Sequence, residues 1–391
     1  MRFSQLIYKN LARRPARSAL TLLALATAIT AVVSLFGVAK GFTHSFADVY
    51  ASHEVDIVVS RQGTADRLSS SVDAAYVEKI QTLPRVARAA GVMLDTLSLE
   101  DQGIYGVPTM GIEPGSWLLD SFEFVGQKPT VTSTKNNTDD KSEQASAEAP
   151  ERTIMLGIHL ADRLQAKVGG TVNLFEEAYK VTGIFKSTST WENGSMILPL
   201  SLLQKLTDRN GQVTYINVVL KSDDSKKSAS EAINAIQQMD KRLLALTTSE
   251  YVETDTRMQL AHAMAWMTSA IALLIGTIGT WNTMLTSVME RTKEIGILRA
   301  IGWRRRRVVA MILGESCSLA LIASIVGIVL AKLLTWALSQ APAARGLLSP
   351  QIDGAVLAQG LLLAIVIGLL GALLPAWRAA QLSPTEAFRE N

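Results

Sequence analysis

The chain has 391 residues, 48% of them hydrophobic, and a net charge of only +3, with a mean hydropathy of +0.21. Charged residues make up 19%, below the roughly 25% usual in soluble domains, and the uncharged residues are bunched rather than spread. That distribution excludes a soluble cytosolic enzyme, and so small a positive excess makes no case for nucleic acid.

The first bunch is Ser18 to Ala39, preceded by the basic flank Arg2, Lys9, Arg13, Arg14 and Arg17. A signal peptide would start in the same way, but its apolar core runs about 7–15 residues and ends at a small-residue cleavage site, which is not found before Lys40. The segment reads as a retained anchor. Together with Met258 to Met289, Val308 to Ala331 and Gly354 to Trp377 it makes four stretches that exceed the ~20 residues a spanning helix needs.

Basic loops tend to stay in the cytoplasm, so their placement orients the chain. The N-terminal flank is basic. The connector between the second and third spans is more so, with Arg291, Lys293, Arg299 and Arg304 to Arg307 against Glu290 and Glu294, whereas Ser339 to Asp353 carries only Arg345 and Asp353. Both termini and the basic connector are therefore expected in the cytoplasm, and the loop near Pro350 outside. Trp266 and Trp336 fall at predicted outer ends, Trp303 and Trp377 at inner ends, where indole prefers the headgroup level.

Between the first and second spans, residues 43–257 form an expected extracytoplasmic domain of mixed α and β type. Short β-rich runs are Val55 to Val59, Ile104 to Ile112, Thr153 to Leu156, Thr171 to Phe175, Tyr179 to Phe185, Met196 to Leu200 and Tyr215 to Leu220. Helical spacing predicts helices over Val72 to Leu83, Ile158 to Ala166 and Ala229 to Met239. Residues 128–150 are polar and nearly free of large apolar side chains, a composition that cannot offset the entropy of ordering, and a disordered insert is expected there. The single cysteine, Cys317, allows no disulfide within one chain.

No catalytic or metal constellation stands out. The G-x-x-x-x-G-K-[ST] phosphate loop and the G-x-S-x-G elbow are absent, and His44, His53, His159 and His262 lack the spacing of a zinc site. Two charges lie within spans, where an ionisable group is costly. Glu315 sits close enough to the connector to reach its basic residues, and Lys332 can snorkel to the interface. Gly276, Gly279, Gly314, Gly327, Gly368 and Gly371 permit close helix approach.

The connector, MERTKEIGILRAIGWRRRRVVAMILGES from Met289, predicts a short amphipathic helix within 290–303, with Ile295, Leu298 and Ile301 on one side. Such a helix could rest on an anionic leaflet or fill a groove on a cytoplasmic protein. Its pattern R-x-x-E-I-G-x-x-R-A-x-G, here Arg291, Glu294, Ile295, Gly296, Arg299, Ala300 and Gly302, resembles the signature of MacB/LolC/LolE/FtsX-type ABC transporter permeases. Asn10 to Ile29 resembles that family's N-terminal elbow and first span, and Leu374 to Glu390 its C-terminal ending. Residues 154–185 are similar to its periplasmic domain.

The resemblance implies an α-helical membrane protein with four transmembrane helices and an α+β extracytoplasmic domain inserted between the first and second. Residues 1–42 would be the elbow and first span, and 258–391 the remaining spans with the coupling helix. It implies a multi-pass protein of the bacterial cytoplasmic membrane that binds no cofactor and catalyses nothing itself, with ATP and Mg on a partner ABC ATPase. That ATPase would dock on Arg291, Glu294, Ile295, Gly296, Leu298, Arg299 and Gly302. The other implied partners are a second permease chain, identical or not, membrane lipids and a periplasmic adaptor; nucleic acid is not among them. The implied function is mechanotransmission in an exporter or extraction complex for a hydrophobic or amphiphilic substrate. The alternative is an FtsX-like regulator that activates a cell-wall hydrolase.

Overall fold

A computed structural model of the chain describes residues 15–64, 70–126, 152–221, 225–340 and 350–381. The expected insert at 128–150, the N-terminal elbow before residue 15 and the ending after residue 381 lie outside the described residues. The described residues divide into two compact units, one drawn from 15–41, 260–340 and 350–381 and the other from 42–259.

In chain order the elements are α1 (Pro15–Ala51), β1 (Ile57–Arg61), β2 (Val72–Asp73), α2 (Ala75–Gln81), β3 (Val86–Leu99), β4 (Ile104–Ile112), β5 (Glu123–Phe124), β6 (Thr153–Gly157) and α3 (Ile158–Leu164). Then come β7 (Thr171–Leu174), β8 (Glu177–Lys186), α4 (Thr190–Asn193), β9 (Met196–Pro199), α5 (Leu200–Leu206), β10 (Gln212–Val213), β11 (Tyr215–Leu220) and α6 (Ser225–Met239). The chain continues through β12 (Leu243–Thr247), α7 (Thr248–Glu253), α8 (Thr256–Glu290), α9 (Thr292–Ala300), α10 (Arg305–Gln340) and α11 (Gly354–Gln381). Among the described residues four helices are long and apolar enough to cross a membrane: Thr21–Ala51, Thr256–Glu290, Arg305–Gln340 and Gly354–Gln381.

The helical unit packs through small residues. A Cβ on Gly371 would fall 2.6 Å from the Thr280 Cβ, one on Gly360 2.5 Å from Val33, and one on Gly327 2.9 Å from the Ala26 carbonyl oxygen. Gly276 lies against Ile367 and Gly368 against Ala320. Side chains this small let backbones approach where lipid offers no hydrophobic drive to pair helices. Gly279 departs from the expectation, since a Cβ there would meet nothing within 4 Å. Hydroxyls add cross-helix bonds: Thr30 donates to the Gly327 carbonyl at 3.1 Å and Ser316 to that of Gly368 at 2.8 Å. Lys40 pairs with Asp353 at 2.6 Å.

The other unit is built on a ten-stranded sheet, ordered β12-β1-β11-β3-β4-β9-β6-β8-β5 with β7 also on β8. The β4–β9 and β6–β8 pairs are parallel and the others antiparallel. Alternation along each strand sorts side chains between two faces. Val58, Tyr215, Val92, Met110, Met155 and Ile197 share one core with Phe46, Val49 and Tyr50 of α1 and Tyr251 of α7. Their chain neighbours Ile57 and Ile216 pack with α6, and Met93, Leu156 and Met196 pack with α3 and α5.

Two strands lie where the sequence reading assigns no element, and one expected helix starts later. Val86–Leu99, which contains three alanines and an arginine, is the longest strand, and β11 and β4 hydrogen-bond it on both sides. Leu243–Thr247 is likewise a strand, completed by β1. The helix expected from Val72 begins only at Ala75: Asp73 Oδ1 accepts from the Ala75 N–H at 2.8 Å, and Val72–Asp73 pairs with Gln212–Val213.

Candidate functional site

The connector resolves into a nine-residue helix, α9, held at both ends. At its start Arg291 donates to Glu315 of α10, with Nη1 3.0 Å from Oε2 and 3.3 Å from Oε1, and both side chains are largely buried. A buried acid in an apolar stretch of helix is tolerable when such a partner meets it. At its end the Trp303 N–H reaches the Leu298 carbonyl at 3.0 Å and the Gly302 N–H that of Arg299 at 3.1 Å. This is the Schellman arrangement, and it needs a residue in the left-handed region, which Gly302 supplies at φ 98°.

Between these anchors the helix has two faces. Ile295, 2% exposed, packs with Met284, Val288, Val308, Met311 and Ile312, and Leu298 leans on the same cluster. Gly296 is buried. Arg299 donates from Nη1 to the Trp303 carbonyl at 3.2 Å. The opposite face exposes Lys293, Glu294, Ile297 and Ala300, with Ile301 following at 73% exposure. The expected seam of Ile295, Leu298 and Ile301 is therefore split. The first two face into the helical unit, and Ile301 joins Ile297 outside, because the anchoring of Arg291 on Glu315 sets which side of so short a helix turns inward.

Of the seven residues singled out in sequence, Arg291, Ile295, Gly296, Leu298 and Arg299 thus position the connector, Gly302 ends it, and Glu294 stands on the outward face. Ile297 was not singled out. Its alternation with Ile295 conceals it from a periodicity that assigns the apolar side by the first isoleucine met.

The sheet unit holds a second polar constellation. His53, just past α1, places Nε2 3.0 Å from Glu192 Oε1, and its Nδ1 meets Ser121 Oγ. Ser187 donates to the other Glu192 oxygen. Ser189 Oγ donates to the Ser45 carbonyl at 2.7 Å, and Ser45 Oγ accepts from the Trp191 N–H at 3.1 Å. The side chains of His53 and Glu192 are 5% and 0% exposed, so the end of α1 is fastened to the β8–β9 connection by a largely buried hydrogen-bond network. Nothing in the sequence signals it, since the partners are 139 residues apart. A polar cleft of about 450 Å³ in the same unit is lined by Arg61, Asp73, Tyr76, Asp240 and Arg242 among others. Hydrogen bonds from Arg242 and Tyr76 hold the Asp240 carboxyl far below the usual carboxylate range, and that contact raises the Tyr76 phenol.

Residues 18–236 match the MacB-like periplasmic core domain and residues 266–384 the FtsX-like permease C-terminal family. An uncharacterized ABC transporter permease of Methanocaldococcus jannaschii is 24% identical over 98% of this chain and 96% of its own length. The macrolide export ATP-binding/permease protein MacB of Nitrobacter winogradskyi is 25% identical over 97% of this chain, which spans 59% of that relative's length. The crystal structure of the periplasmic region of MacB from Actinobacillus actinomycetemcomitans covers 51% of this chain and 91% of its own, at 11% identity and a TM-score of 0.35.

Proposed function

The chain belongs to the MacB/FtsX-like family of ABC transporter permeases, and from that membership we propose that it carries ATP-driven motion from a partner ATPase to its extracytoplasmic domain. It is a membrane protein with such a domain. The movement would act on a hydrophobic or amphiphilic substrate, in an export or extraction complex with a second permease chain. ATP and Mg would sit on the ATPase, and this chain would supply no catalytic group.

The observation that carries this reading is the connector. A push on its exposed face, Glu294, Ile297 and Ile301, would be delivered through Arg291 to Glu315 of α10 and through Ile295 to Val308 and Met311. A helix that presents isoleucines outward while bolted inward is suited to a groove on a partner. α1 and α8, which flank the sheet unit in sequence, would be the levers that carry the movement onward.

The test is ATPase stimulation in detergent or vesicles with the cognate ATPase. Ile297→Asp and Ile301→Asp together should lower stimulation about tenfold, the equivalent of roughly 1.4 kcal/mol of docking energy, with membrane insertion unchanged. Unaltered stimulation and co-purification would overturn the docking role.

A further inference from the structure

The first two turns of α10 and the last turn of α11 enclose a cleft of about 390 Å³ that the permease reading leaves unused. Its rim is Arg305 and Arg306, and its wall is Val309, Leu313, Trp377 and Ala380. Arg305, Val309 and Leu313 follow one another at helical spacing, so a cationic rim leads straight onto an apolar stripe along the helix. Trp377 is 58% exposed beside it.

The charges at the rim are unbalanced. Arg304 to Arg307 are four consecutive exposed cations at the N-terminal end of a helix, where the macrodipole disfavours positive charge. Among the described residues none of the four has an ion pair. An anion held there would be met by two guanidinium forks, and the apolar wall behind them suits a hydrocarbon chain.

We propose that this cleft binds one anionic phospholipid, with its phosphate on Arg305 and Arg306 and an acyl chain lying along Val309, Leu313 and Trp377. The proposal rests on α10 and α11 being membrane spans and goes beyond the permease reading. A free phosphate would use the rim alone and leave the wall uncovered; a lipid satisfies both.

Native mass spectrometry of the full chain in detergent tests it, with phosphatidylglycerol and phosphatidylcholine of identical acyl chains as probes. Phosphatidylglycerol should be retained at least about fivefold better, and Arg305→Gln with Arg306→Gln should lower its binding about tenfold, as expected for losing charge-assisted bonds. Arg304→Gln with Arg307→Gln should change it by less than about twofold, because those residues lie off the cleft. A phosphatidylglycerol carrying a photoreactive acyl chain should label Val309 to Leu313 or Trp377. Equal loss from both arginine pairs, full displacement by millimolar inorganic phosphate, no headgroup preference, or labelling elsewhere would each overturn the proposal. Recovery of the chain in the membrane fraction checks the span reading separately.

Discussion

The two units of this chain differ in the side chains at their closest contacts. The sheet unit fills its interior with large side chains: Tyr50, Tyr179, Tyr251 and Phe185 are among its fully buried residues, and Tyr50 stacks edge-on against Tyr215 and Tyr251 at 5.9 and 5.6 Å. In the helical unit the shared core includes Ala26, Ala39, Ala265, Ala272, Ala320, Ala323, Ala331 and Ala364, with glycines at the crossings. In water, burying a large apolar side chain gains roughly 1.5–3 kcal/mol. Between lipid-facing helices that gain is absent, and close approach of backbones replaces it.

Glu192→Ala would leave His53 and Ser187 without their acceptor inside the sheet unit and should destabilise it by about 1–3 kcal/mol, the usual cost of a buried polar group left without its hydrogen-bond partner. Glu192→Gln, which keeps an acceptor, should lose markedly less. Thermal unfolding of the full chain in detergent reads both, and an Ala variant as stable as the parent would show that the network contributes nothing. In the helical unit the corresponding insult is one of space. Gly371→Val drives a side chain into Thr280 and should cost about 1–3 kcal/mol, while Gly279→Ala, facing open space, should be silent or slightly stabilising by helix propensity. If both glycines tolerate substitution equally, the small-residue account of this unit fails.

The smallest expected effect is electrostatic. The hydrogen bond from Lys40 holds the Asp353 carboxyl below the usual carboxylate range. A depressed carboxylate contributes stability that is present above its unfolded value, near pH 3.9, and is lost as pH falls through the lower folded one. Protection of residues 351–353 in hydrogen exchange should therefore hold at neutral pH and fade only in acid. Asp353→Asn should abolish that dependence, and acid-sensitive protection that survives the change would place its origin elsewhere.

What could be read in the sequence follows from how local each signal is. The four spans and the basic connector were legible because length, hydropathy and charge sign act within one segment. Ile104–Ile112 and Tyr215–Leu220 were legible for the same reason, as β-rich runs with fixed ends. Val86–Leu99 was not, since its alanines favour helix and only the ladders from β11 and β4 decide otherwise. On the connector, position and helicity were readable but the inward side was not, because it depends on where Glu315 sits in the next helix. The fastening of His53 to Glu192 was invisible for the same reason on a longer scale.

The first strand of the sheet, Ile57–Arg61, finds both of its ladder partners, Val58 with Asn217 on one flank and Val58 with Leu246 on the other, only near the end of the domain. A chain emerging from the ribosome thus carries an open strand, apolar through Ile57, Val58 and Val59, until nearly the whole domain has been made. Its folding waits on the slowest kind of contact, one closed over a long loop, and truncation anywhere before Leu243 leaves a bare edge able to recruit a stranger's strand.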